Sequence, residues 1–282
     1  MKSRLLYFFA VFTALALMPL ATLIPAYGAG RDDLRVISAD GSVYEIPVEE
    51  YVVRAVAAEY GAVTEEEALK ALAVTVRTAA HYVRLHGLNH AEAEFCVSQG
   101  CCFPQEDPGT AGEKAFAAAR AAAEATEGEI LKSENGEAMA LYTLCSCGAT
   151  RDCPEFPDVA GVKYGSGCEK HVFKTKADLF ALFPDASGEE YCLITCEDGY
   201  CVYGVIGNKL IPASEIAEKA GLPSVKFFAE KAESGKALLT CRGAGNGYGL
   251  DLCYSGKAAD EGFTYDEILK LFFPNYTLYR GK

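Results

Sequence analysis

The stretch Val48-Glu49-Glu50-Tyr51-Val52-Val53-Arg54-Ala55-Val56-Ala57-Ala58-Glu59-Tyr60-Gly61 constrains this chain most. Val52, Ala55, Val56 and Glu59 recur at i, i+3, i+4 and i+7, which is one face of a helix. That face is apolar until its last member, a carboxylate, and Tyr60-Gly61 then ends the pattern. Glu59 has two readings. It is a helix-end side chain reaching solvent, or an acid held in a poorly hydrated cleft. Desolvation disfavours the charged form and raises a carboxylate pKa, as a general acid working near neutral pH requires.

The flanking segments supply a mixed α+β pattern, read as a single domain over 31–282. Arg35 to Pro47 alternates around Asp40-Gly41, the signature of a β-hairpin. Thr64 and Glu67 have the spacing of a helix cap, with Thr64 as N-cap and Glu67 at N3. Ala68, Leu69, Leu72, Ala73, Val76, Ala80 and Val83 then continue a core-facing stripe to about Leu85. Residues 87–107 read as a loop and Gly112 to Glu127 as an Ala-rich helix. Glu129–Lys132 and Ala138–Tyr142 are strand-like, and 143–170 is a Cys- and Gly-rich loop. Further on, Lys174–Phe183 and Pro212–Ala220 look helical and Tyr200–Ile206 strand-like. A Gly-rich turn region, Arg242–Leu250, precedes a short amphipathic helix over Tyr265–Phe272. Half of the 282 residues are apolar, enough for a sizeable core. A net charge of −13 without any Lys/Arg cluster excludes a nucleic-acid partner.

The N-terminus carries an address. Lys2 and Arg4 precede an apolar run from Leu5 to about Ala29, broken by Pro19 and Pro25, and the next charge is Arg31. Residues 1–30 read as a signal anchor long enough to span a bilayer. The alternative is a signal peptide cleaved near Ala26-Tyr27-Gly28-Ala29. Either way the positive end stays inside, so everything after Arg31 lies outside the cytoplasmic membrane. ATP and NAD chemistry lose their support there.

Twelve cysteines suggest disulfides, a metal, or both. Cys96, Cys101 and Cys102 share the 87–107 loop with His90. Cys145, Cys147 and Cys153 form a second group and Cys192, Cys196 and Cys201 a third. Cys168, Cys241 and Cys253 are left over. For these later groups, disulfides or buried thiols are simpler than a second metal. Gly243 to Gly249 is Gly-rich but lacks the strand-to-helix context and following Lys-Ser/Thr of a phosphate loop. His81 and His86 read as surface or core residues.

Six segments, in order, resemble the stage II sporulation protein D family (SpoIID/LytB, the latter an amidase enhancer). Val48–Tyr51 through Ala57-Ala58-Glu59 resembles "LEEYL…VVAAE", and Glu67–Thr78 resembles "EALKAQAVAARTYA". Ala125–Leu131 is similar to "ATKGEVL", Tyr142–Thr150 to "YHSTSGGRT", Gly245–Leu250 to "GHGVGM" and Tyr265–Leu269 to "YEEIL". The resemblance implies a SpoIID/LytB-like domain with a glycan-binding groove. It implies a membrane-associated protein acting on peptidoglycan, as the sporulation members do when they cut glycan strands lacking stem peptides during engulfment. The glutamate of the "AAE" motif is their catalytic acid, here Glu59. Arg77, Tyr142, Ser146, Gly148 and Asn246 fall in motifs that would contact substrate. For two of these the residues alone leave another reading: Arg77 as an ion pair with Glu50 or Glu59, and Tyr142 as a core-edge aromatic. Some clostridial members hold zinc through a Cys pair with five residues between them, plus a His. Cys96 and Cys102 have that spacing and His90 precedes them, an S/S/N set that suits zinc. Cys101 is an equally good partner for Cys96, and a disulfide is the competing use.

The implied chemistry needs one carboxylate rather than the usual pair. Glu59 would protonate the glycosidic oxygen and then, as carboxylate, take the proton of the sugar's 6-hydroxyl. That oxygen closes a 1,6-anhydro ring, so no other cofactor is required. The chain departs from the family pattern at Leu72, Cys147, Asn246 and Asp251–Ser255. These changes replace polar groups expected along the groove. They define the alternative: a glycan-binding protein that stimulates a cell-wall amidase, among other sporulation membrane proteins. A purely structural, disulfide-rich surface protein is a third reading.

Overall fold

The computed structural model describes residues 33–87, 90–97, 101–108, 112–165, 169–196, 198–232 and 236–281. The 1–30 segment and Cys168 lie outside the described residues. Among the described residues no helix is long and apolar enough to cross a membrane.

The expected hairpin forms from β1 (Asp33–Ile37) and β2 (Val43–Pro47), antiparallel, with Val36 opposite Tyr44. Gly41 supplies the left-handed turn conformation, φ +86°, that a side chain would resist. β2 runs directly into α1 (Val48–Ala58), whose Tyr51, Val52, Val53, Ala55, Val56 and Ala57 are all buried. α2 (Glu66–His86) packs beside it. Its cap differs from the expectation: Glu65, not Thr64, precedes the helix, and Glu65 Oε2 accepts the Thr64 N–H. Glu67 is occupied elsewhere, accepting from Lys70 Nζ at 2.8 Å and from the Tyr265 N–H at 2.7 Å. It therefore ties α2 to the last helix instead of closing its own first turn.

β3 (Phe95–Cys96) adds to β1 in parallel. α3 (Glu113–Ala125) covers α1 and α2. β4 (Glu129–Ser133) pairs with β5 (Gly136–Glu137) and with the C-terminal β14 (Thr277–Arg280). Of the strand expected over Ala138–Tyr142, only Tyr142 is in a strand, β6 (Tyr142–Thr143), and β5 ends just before the segment begins. Ala138, Met139 and Ala140 are buried, and the backbone bonds go elsewhere: Met139 O accepts the Tyr276 hydroxyl and Leu141 O accepts the Leu250 N–H.

β6 pairs in parallel with β13 (Leu250–Asp251), which opens α6 (Leu252–Asp260), and α7 (Tyr265–Phe272) follows with a Thr264/Glu267 capping box. These elements share one apolar core. A second core lies between β7 (Val172–Ala177), α4 (Leu179–Leu182), β8 (Tyr191–Thr195), β9 (Cys201–Ile206), β10 (Lys209–Pro212), α5 (Ala213–Ala220), β11 (Phe227–Lys231) and β12 (Ala237–Arg242). The helix expected over Lys174–Phe183 thus splits into strand over 174–177 and helix over Leu179–Leu182. Val172 to Ala177 pairs residue for residue with β12, and helix begins only where Asp178 caps it by accepting the Ala181 N–H. Long-range pairing overrides the local preference there.

Candidate active site

α1 ends at Glu59 because the chain folds back on that residue's carbonyl. The N–H groups of Ala62 and Val63 donate to Glu59 O at 2.8 and 3.2 Å. This fixes the backbone, and the Tyr142 hydroxyl fixes the side chain by donating to Glu59 Oε1 at 3.0 Å. Tyr142 is 7% exposed and lines neither cavity, so it stands behind the acid as a core-edge aromatic. Burial raises the Glu59 pKa above the ordinary carboxylate value, and the Tyr142 hydrogen bond, which favours the charged form, opposes part of that rise. Of the two readings of Glu59, the structure adopts the second.

Glu59 lines a cavity of about 990 Å³ together with Leu144, Cys145, Tyr164, His171 and Asp251. Gly148 and Cys147 lie on the same lining, and both also border a second, shallower cavity of about 590 Å³. Cys147 replaces a glycine of the family pattern and keeps the glycine's backbone: its φ is +46°. Few side chains adopt that conformation without a local reason. The Gly-rich segment after β12 explains how the loop is held. A methyl group on Gly243 would run into the Cys145 carbonyl, and one on Gly249 into the Leu141 carbonyl. The two glycines let one backbone lie directly against the other.

The remaining expected substrate residues separate from the cleft. Arg77 is 3% exposed, and its guanidinium grips Glu49 through two bonds of 2.6 and 2.7 Å. It also donates to the carbonyls of Ala123 and Glu129. The ion-pair reading is therefore the one observed, with Glu49 as partner in place of Glu50 or Glu59, and no donor is left for a sugar. Ser146 is 1% exposed and acts through its backbone: its N–H donates to Asp251 and its carbonyl accepts from Lys226 Nζ at 2.7 Å. Asn246 is exposed and lines neither cavity. Its Oδ1 accepts the Tyr248 N–H at 2.8 Å, which braces its own turn. Leu252, within the departure at Asp251–Ser255, is fully buried in the first core.

His90, Cys96 and Cys102 come together, and Cys101 joins them: one ligand atom from each lies within 4.8 Å of all the others. His90 Nε2 is 3.3 Å from Cys102 Sγ and 3.8 Å from Cys101 Sγ. This S/N set and its spacing fit a tetrahedral zinc. Phe103, the next residue, stacks on Tyr142 with ring centroids 4.9 Å apart, so the cluster reaches Glu59 through two side chains.

Sequence reasoning misses Asp251, although this residue organises the cavity floor. Its Oδ1 caps α6 by accepting the Tyr254 N–H at 2.8 Å, and its Oδ2 accepts from Ser146 N–H and the Tyr164 hydroxyl. An Asp immediately before a Leu-Cys-Tyr-Ser helix start is the available signal.

Residues 38–132, which include Glu59 and the His90 cluster, match the family model described as stage II sporulation protein. Two relatives are called stage II sporulation protein D. That of Bacillus subtilis (strain 168) is 30% identical over 84% of this chain and 75% of its own length. That of Bacillus amyloliquefaciens is 26% identical with the same shares covered.

Proposed function

Because the chain belongs to the stage II sporulation protein D family, we propose that it cleaves peptidoglycan glycan strands as a lytic transglycosylase, with Glu59 as acid and then base. The observation that carries this reading is the state of Glu59: at a helix end, in a cleft, with its pKa raised by burial and its carboxyl oriented by Tyr142. A protonated carboxyl near neutral pH can give its proton to the glycosidic oxygen as the bond to the anomeric carbon breaks. The resulting carboxylate takes the proton of the 6-hydroxyl, whose oxygen bonds to the anomeric carbon. Glu59 ends as it began. The Tyr142 hydrogen bond favours the carboxylate midway and so serves the second half of the cycle.

A hydrolase would need a second free carboxylate. Three other carboxylates line the same cavity: Asp251, which is 1% exposed with both oxygens occupied, Glu65, whose oxygens accept from Thr64, and Asp260, exposed at the end of α6. The intramolecular route, in which the substrate supplies its own nucleophile, needs none of them. The two adjoining cavities share Cys147, Gly148 and Tyr164, which gives an extended strand a continuous path. Zinc held by His90, Cys96 and Cys102, with Cys101 in reach, would clamp the loop that places Phe103 against Tyr142. In this role the domain lies outside the cytoplasmic membrane, held by residues 1–30, with glycan strands as substrate and a cell-wall amidase as partner.

Stem-peptide-free glycan strands digested with wild type and with Glu59→Gln test the proposal. Wild type should release ends of 1,6-anhydro-N-acetylmuramic acid, one water lighter than hydrolytic products, and Glu59→Gln should not. Retained strand binding without any such product would overturn the enzyme reading in favour of a glycan-binding stimulator of an amidase.

A further inference from the structure

A second Cys/His cluster lies in the lining of the Glu59 cavity. Cys145 Sγ, His171 Nε2 and Cys253 Sγ lie within 4.8 Å of one another. Cys253 Sγ is 3.3 Å from His171 Nε2, and Cys145 Sγ is 3.7 Å from Cys147 Sγ. Ligands on a tetrahedral zinc, with Zn–S of about 2.3 Å and Zn–N of about 2.0 Å, stand about 3.5–3.8 Å apart. Cys253 and His171 already stand near that separation, and Cys145 lies within 4.8 Å of both. Among the described residues no disulfide takes up Cys145 or Cys253, so both sulfurs can serve as ligands.

We propose that Cys145, His171 and Cys253 form a second, three-ligand metal site for a thiolate-preferring divalent cation, best suited to zinc. The site stands apart from the catalytic reading, because its ligands do not include Glu59 or any member of the His90 cluster. Thiolate and imidazole donors select zinc over magnesium or calcium, which prefer oxygen. Each coordinating thiol gives up its proton on binding.

The surroundings favour that charge. Lys226 is buried and donates to the carbonyls of Ser146 and Cys147, on the loop that carries Cys145. Lys170 lines the cavity beside His171. A cluster of thiolates on zinc carries net negative charge, and both ammonium groups lie where they offset it.

The ligands come from three separate places. Cys145 follows β6, Cys253 sits in the first turn of α6, and His171 immediately precedes β7, the strand that enters the second core. A metal there joins the two cores at the lining of the cleft and fixes its width. The clip acts on the groove rather than on the acid.

Metal binding to the full chain decides the matter. Protein purified with reductant and stripped by chelator is titrated with cobalt(II), whose thiolate charge-transfer absorption reports sulfur ligation. Wild type should take two equivalents with that signature, and Cys101→Ser with Cys102→Ser should keep one. His171→Asn with Cys253→Ser should lose one equivalent and keep the other. Cobalt uptake that is unchanged in His171→Asn with Cys253→Ser would overturn the site. So would a wild-type signal that vanishes entirely with Cys101 and Cys102. Should the His171/Cys253 variant fail to fold, X-ray absorption on the Cys101→Ser, Cys102→Ser protein decides the same point. A sulfur-rich first shell is expected, and an oxygen shell refutes the site. A non-reduced peptide map of exported protein showing Cys145 joined to Cys253 or Cys147 would also overturn it.

Discussion

The two Cys/His clusters beside Glu59 differ in how the chain builds them. His90, Cys96, Cys101 and Cys102 come from one loop, and the family resemblance of their spacing implies a ligand set. Cys145, His171 and Cys253 come from three elements separated by most of the second half of the chain. The first cluster is joined to Glu59 through the Phe103–Tyr142 stack and the Tyr142 hydrogen bond. The second acts on the lining and on the junction of the two cores. Local sites can be read from sequence, whereas sites made by topology have to wait for the fold.

Substitutions on the two sides of the cleft should therefore fail in different ways. Glu59→Gln should reduce strand cleavage by about 10²–10⁴-fold, the usual worth of a positioned acid, with little change in strand binding. Cleavage rates and a binding isotherm on the same strands check this. Asp251→Ala should instead cost stability, about 2–4 kcal/mol, because it strands the Ser146 N–H and the Tyr164 hydroxyl in a buried place. Denaturant midpoints measure that loss. A loss of activity at full stability would mean that Asp251 belongs to the chemistry and that the two sides are not distinct in kind.

Phe103→Ala should lower cleavage on the order of tenfold, since Tyr142 loses its stacking partner and the acid loses alignment. Its stability should change less than that of Asp251→Ala. Tyr142→Phe removes the hydrogen bond that holds the Glu59 pKa down, so the pKa should rise further. The alkaline limb of the pH–rate profile, where Glu59 loses its proton, should move to higher pH. A limb that stays in place would separate Tyr142 from the acid.

The smallest effect concerns stability alone. Glu59 has a folded-state pKa raised above its ordinary 4.5. Its favourable contribution is complete below that value and disappears as pH rises through the folded-state pKa. Glu59→Gln should therefore stabilise the protein by about 1 kcal/mol at neutral pH, as removal of a strained functional group commonly does. The gain should fade in melts below about pH 4.

The local parts of this architecture were legible in the sequence. The hairpin around Gly41, α1 with its apolar face, and Glu59 at its end follow from periodicity and turn chemistry. The parts decided by distant partners were not. β7 is a strand because β12 lies beside it, Glu67 caps nothing because Tyr265 claims it, and Ser146 is buried under Lys226 and Asp251. Arg77 carried both meanings in the sequence, and only the position of Glu49 decided between them. Asn246 sits in the expected motif, yet its side chain turns to Tyr248 N–H and away from the cleft.

The proposed chemistry stands or falls on Glu59 acting alone while the substrate supplies its own nucleophile. The origin of the oxygen at each new chain end separates that route from hydrolysis. Stem-peptide-free glycan strands are digested in heavy-oxygen water, and the new ends are weighed by mass spectrometry. The expected ends are 1,6-anhydro-N-acetylmuramic acid and carry no heavy oxygen. Ends that incorporate solvent oxygen, and are heavier by a water, would show hydrolysis and contradict the single-acid route.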